Sequence, residues 1–79
     1  MMQEKARFAM MNRIIKVMSV PPEGIRRGQA VWNIVDADRP DLTDLVRGTD
    51  LDPYYSDTKL ERFFMWLGDK LKEEKAAEQ

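Results

Sequence analysis

A chain of 79 residues with a net charge of −1, 34% charged and 43% hydrophobic, has room for one small domain with a single modest core. It contains no cysteine and no histidine, which excludes disulfides, thiolate zinc sites, and Ser-His or Cys-His nucleophilic catalysis. No apolar run reaches the roughly 18 residues of a membrane span, and Glu4, Lys5 and Arg7 sit where a signal peptide would place its apolar segment, so a cytoplasmic protein without membrane association is expected.

The first predicted element covers residues 3–19. Phe8, Met11, Ile15 and Met18 form one apolar row at helical spacing, and Ala6, Met10, Ile14 and Val17 form a second beside it. Lys5, Asn12, Arg13 and Lys16 lie outside this broad face. Pro21 and Pro22 then end the helix, since neither can supply the next backbone N–H. A second helix is expected over about 23–37, with Pro22 and Glu23 in its first turn and Ile25, Trp32 and Val35 on one row beside Val31 and Ile34. Gly28 falls inside it, and close approach of another backbone or side chain would explain a glycine there.

The stretch "DADRPDLTDLVRGT" reads as a short third helix. Asp38 is the expected N-cap, Pro40 lies in the first turn, Leu42, Leu45 and Val46 form the apolar stripe, and Gly48 is a left-handed stop. The last helix is expected to start near Asp57 or Thr58, capped by Ser56 or Asp57, with Leu60, Phe63, Phe64, Leu67 and Leu71 as its core row. No strand pattern competes. The expected fold is all-α: residues 1–79 form one compact bundle of three to four helices, with 1–20 as an N-terminal extension and 72–79 as a frayed polar tail.

Charge is unevenly distributed. Residues 1–35 carry six basic and two acidic side chains, whereas residues 36–58 carry seven aspartates against two arginines. Internal pairing between the two halves is the favoured reading of that split.

The segment "GTDLDPYYSDTKLE" is the densest in polar and aromatic groups. Against a calcium-loop template, Asp50, Asp52 and Glu61 take the first, third and twelfth positions, but Tyr55 stands where the turn needs glycine. Paired carboxylates working as acid and base would need burial that a domain of this size scarcely offers. A structured joint accounts for more residues. In that reading Asp52-Pro53 is a cap and first-turn proline, Tyr54 and Tyr55 lay their rings on the core, and Asp57 caps the final helix. No catalytic residue, metal or cofactor is assigned.

At "EGIRRGQAVWN" and "GTDLDPYYSDTKLERFF" the chain resembles a group of short proteins encoded by bacteriophages and prophages. In that group an Arg-x-Gly-Gln segment leads into a helix bearing Asn, and an acidic-aromatic segment precedes a helix bearing Phe. The matching positions are Arg26 or Arg27, Gly28, Gln29 and Asn33, then Asp52, Pro53, Tyr54, Tyr55, Asp57 and Phe64. The group carries no assigned activity. Gln29 and Asn33 share a helix face and could bond the corner's aspartates or tyrosines, while Arg26 or Arg27 could pair with Asp52 or Asp57. Together with Asp50, these residues form either a polar clasp or a partner-binding site.

The expected function is therefore a non-enzymatic interaction module that occupies a host or phage protein, including components of defence systems such as CRISPR complexes. A small DNA-binding regulator using the Arg26–Asn33 helix is the alternative, disfavoured because seven aspartates flank that helix. A homodimer is a third expectation, from Trp32, Trp66 and the methionine-rich first helix.

Overall fold

The computed structural model describes residues 2–77. Four helices follow in chain order: α1 (Glu4–Ser19), α2 (Arg27–Asp38), α3 (Pro40–Val46) and α4 (Leu60–Ala77), the last entered through a 3₁₀ turn at Asp57–Lys59. No strand occurs among the described residues, and no helix is long and apolar enough to cross a membrane. The protein is an all-α bundle.

Helix α1 presents two apolar rows but buries only part of them. Met10 and Ile14 are fully buried, with Met11, Val17 and Met18 half-buried against them. Phe8 and Ile15 are 67% and 53% exposed, so half of the first row faces outward. The helix stops at Ser19, where the Val20 N–H still reaches the Lys16 carbonyl and Pro21 can continue nothing.

The second helix begins four residues later than its proline suggests. Gly24 takes φ +79°, and the Ile25 N–H closes a turn on the Pro22 carbonyl at 3.2 Å. A glycine in the left-handed region at the third position of a turn is incompatible with helix, so residues 22–25 form a tight reversal. Ile25 thus stands outside α2, and the buried face of the helix is Gly28, Val31, Trp32 and Val35.

A single residue, Arg39, separates α2 from α3. Asp38 is not the cap of α3: it is the last residue of α2, and its carboxylate bridges Arg13 of α1 instead. Arg39 occupies the cap position without a side-chain cap bond, and Pro40 opens the helix. Leu42 and Val46 point into the core, but Leu45 is 63% exposed and Thr43 takes the buried place beside them. Gly48, with φ +77°, stops α3 as expected of a left-handed position.

The core collects Met10 and Ile14, then Val31, Trp32 and Val35, then Leu42 and Val46, and finally Leu60, Phe63, Leu67 and Leu71. Trp32 and Phe63 meet at 5.6 Å between ring centroids, and Trp66 extends the aromatic row at 5.9 Å from Phe63. Trp32 is only 2% exposed and belongs to the core, and Trp66 is half-buried at its edge.

Two further features complete the fold. Residues 72–77 are helical, and both carboxylate oxygens of Glu74 accept from a single Arg39 nitrogen, Nη1, at 2.9 Å; the remaining tail positions, 78–79, lie outside the described residues. The charge halves pair only in part. Arg13 does reach Asp38, but Arg39 and Arg47 neutralise Asp41, Asp36 and Asp44 from within the acidic segment itself.

Candidate functional site

The acidic-aromatic corner, residues 48–57, folds onto the start of α2. Gly28 makes that possible. A Cβ placed on Gly28 would lie 2.3 Å from the Pro53 carbonyl oxygen and 2.9 Å from Asp57 Oδ1, so only glycine admits the corner backbone. The Gly28 N–H donates to Asp57 Oδ1 at 2.9 Å. This N–H is one of the donors a helix start leaves without an intrahelical partner. Asp57 therefore caps α2 from a distance in sequence, where the final helix had been its expected target.

Asp52 organises the corner from inside. Its Oδ2 accepts the Gly48 N–H at 2.8 Å and its Oδ1 accepts the Tyr54 N–H at 2.9 Å. The second bond is an Asx turn, which closes a reversal with no helix following Pro53. Asp52 is buried and Pro53 is fully buried beneath it. The expected cap and first-turn proline are replaced by this turn because both carboxylate oxygens are drawn to N–H groups on either side of it.

The remaining candidates divide. Arg26 donates to the Tyr54 carbonyl, and Gln29 Nε2 donates to the Tyr54 hydroxyl at 3.2 Å. Arg27 turns away and donates to the Met18 carbonyl at 2.8 Å, tying α2 to the end of α1. Neither arginine pairs with Asp52 or Asp57; both meet backbone carbonyls instead. Tyr54 lies half-buried against the core, but Tyr55 is 81% exposed, its ring edge-on to Tyr54 at 4.7 Å. Only one of the two tyrosines therefore packs as anticipated. Asp50 is exposed and lines a separate shallow depression with Thr58, Lys59 and Arg62.

Between the corner and α2 lies a polar cleft of about 420 Å³. Asn33, Asp52, Tyr54 and Tyr55 line it, as do three residues outside the expected site: Trp32, Asp36 and Arg47. Arg47 ion-pairs with Asp36 at 3.0 Å and Asp44 at 3.2 Å, and its guanidinium lies 5.3 Å from the Trp32 ring centroid. The Thr43 hydroxyl donates to Asp36 Oδ1 at 2.5 Å. That bond, opposed by partial desolvation and aided by Arg47, holds the Asp36 carboxyl below the usual carboxylate range. Arg47 is shifted upward, chiefly by its bond to Asp44. Trp32 and Asp36 are four apart on α2, a spacing that could have marked them; nothing local to Arg47 shows that it folds back over α2.

The chemistry of this arrangement is that of a fitted surface. The Asp52 and Asp57 carboxylates accept from backbone N–H groups, and among the described residues no three carboxylates converge on a metal-holding geometry. The chain matches no protein-family model, no curated protein and no solved structure.

Proposed function

We propose that this chain is a non-enzymatic, phage-type protein-interaction module, acting in the bacterial cytoplasm by occupying a host protein such as a component of a CRISPR or other defence complex. The observation that supports it is Tyr55. An aromatic ring 81% exposed stands on a corner whose backbone is pinned by Asp52, Asp57 and Arg26, beside a cleft large enough for a partner's side chain. Exposed tyrosines on rigid supports supply contact area at little entropic cost, and they are over-represented where binding energy concentrates. The DNA-binding alternative has less support: Arg26, Arg27 and Gln29 already bond carbonyl and hydroxyl oxygens of the protein itself.

The test is affinity capture from a bacterial host, comparing the wild type with Tyr55→Ala, followed by reconstitution with the purified partner. The expected result is one discrete protein, lost with Tyr55→Ala while helicity is unchanged. Expression should also raise the plating efficiency of a phage targeted by the host's CRISPR system. A partner held equally by wild type and Tyr55→Ala removes the corner from the interface, and a sequence-dependent shift of duplex DNA would replace this reading with the regulator.

A further inference from the structure

The polar cleft between the corner and α2 already holds one guanidinium. Arg47 donates to Asp36 Oδ1 at 3.0 Å and lies 5.3 Å from the Trp32 ring centroid, between a carboxylate and an aromatic ring. Other lining groups stay unengaged. Asp36 Oδ2, the Asn33 amide and the Tyr55 hydroxyl make no hydrogen bond among the described residues. Asn33 and Asp36 are three apart on α2 and so share a face. Tyr55, at 81% exposure, keeps ring surface open beside them.

Charge sets the sign of the occupant. Asp36 and Asp52 line the cleft, and Asp44 is tied to them through its ion pair with Arg47. Asp52 is held by two backbone N–H groups, which carry no net charge to cancel its own. Against these three carboxylates stand Arg47 and, on the Tyr54 carbonyl, Arg26. Negative charge is in excess. We infer, resting on the reading of the corner as a contact surface, that the cleft takes an arginine side chain of the partner protein. Its guanidinium donates to Asp36 Oδ2 and the Asn33 carbonyl oxygen and stacks on the Tyr55 ring. A planar fork meets two acceptors and a ring at once, which the compact ammonium of lysine cannot do. Arg47 between Asp36 and Trp32 is the same arrangement made internally.

The experiment titrates the isotope-labelled full chain with acetylated, amidated tripeptides, read by amide chemical shifts. Their central residue is arginine, lysine or citrulline between two glycines. The arginine peptide should give saturable shifts at residues 33, 36 and 52–55 with a Kd of about 1–10 mM, weakened by salt. The lysine peptide should bind at least about three-fold more weakly. Citrulline keeps the shape without the charge and should leave the cleft unmoved. Tyr55→Ala and Asp36→Asn should each weaken arginine binding about five-fold. Asp36 also bonds Thr43 and Arg47, so if Asp36→Asn lowers the unfolding midpoint, Asn33→Ala at an exposed position replaces it. Equal binding of all the peptides, no saturation up to ~50 mM, or undiminished binding by Tyr55→Ala overturns the inference. Because the titration needs no partner, it fails separately from the proposed function. A host protein lost with Tyr55→Ala, beside an arginine peptide that leaves the cleft unmoved, keeps the contact surface and removes this occupant. Saturable arginine binding with no host protein captured keeps the cleft's preference and removes the host-protein reading.

Discussion

The Gly28 amide donates to Asp57 Oδ1 at 2.9 Å, and the same glycine leaves the space that the Pro53 carbonyl fills. One residue thus fixes where the corner sits on α2. Gly28→Ala should destabilise the protein by about 2 kcal/mol or more, because the added methyl meets a backbone oxygen that cannot rotate away. Helix propensity alone predicts the opposite sign, a gain of up to about 1 kcal/mol. Urea unfolding distinguishes them. Asp57→Asn keeps an acceptor and should cost less than Asp57→Ala, which removes a distant cap worth about 1 kcal/mol.

The Arg39–Glu74 pair ties the end of α4 to the α2–α3 junction. Both partners are mostly shielded, with side chains 14% and 17% exposed. Arg39 is shifted upward, first by its bond to Asp41 and then by Glu74, so it stays charged at every accessible pH. Glu74→Ala should cost about 1–2 kcal/mol, above the value of an exposed pair because both side chains are mostly shielded from water. Hydrogen exchange should accelerate in residues 72–77 of this variant and change little in α2. If exchange there is as fast in the wild type, the pair does not order the tail.

Acid should lower stability through the aspartates of the second and third helices. Asp36 is held below its ordinary 3.8 mainly by the Thr43 hydroxyl, and Asp41 is likewise lowered by Arg39. A carboxyl with a depressed folded-state pKa contributes its full stability above the ordinary value and loses it as pH falls through the folded-state value. Stability should therefore decline below about pH 4. Thr43→Val removes the hydroxyl from a fully buried position, so its deficit should be largest at neutral pH and shrink toward pH ~2. A deficit that stays constant across this range would show that the Thr43–Asp36 bond contributes nothing to the acid limb.

Much of this architecture is legible in the sequence because periodicity dictates it. The rows of α1 and α4, the proline break and the stop at Gly48 all follow from spacing and φ restrictions. Which of α1's two apolar rows turns inward does not, since both are equally apolar and only the packing of α2 selects Met10 and Ile14. Gly24 signals a turn as strongly as Pro22 signals a helix start, and the turn prevails because a residue at φ +79° cannot be helical. Asp38 fits a cap by type, yet Arg13 holds its carboxylate in a contact 25 residues apart. At the corner, Gly28's need for a close neighbour was readable. That the neighbours are Pro53 and Asp57, and that Arg47 folds over Trp32, depends on tertiary contacts no local pattern encodes.

The two adjacent tyrosines offer the cleanest separation of folding from binding. Tyr54 is half-buried in the core's margin, receives the Gln29 amide on its hydroxyl, and has its carbonyl bonded by Arg26. Tyr54→Ala removes packed ring area and should cost about 2 kcal/mol, with Tyr54→Phe losing only the hydroxyl bond, about 1 kcal/mol or less. Tyr55 contributes just its edge contact with Tyr54, so Tyr55→Ala should change stability by no more than about 0.5–1 kcal/mol. Thermal unfolding of the three variants gives the stability ranking, and capture of the partner gives the binding ranking. The proposed function requires the two to be inverted for Tyr55: nearly native stability with the partner lost. If Tyr55→Ala unfolds as readily as Tyr54→Ala, the exposed ring belongs to the fold after all, and the corner loses its claim to be a contact surface.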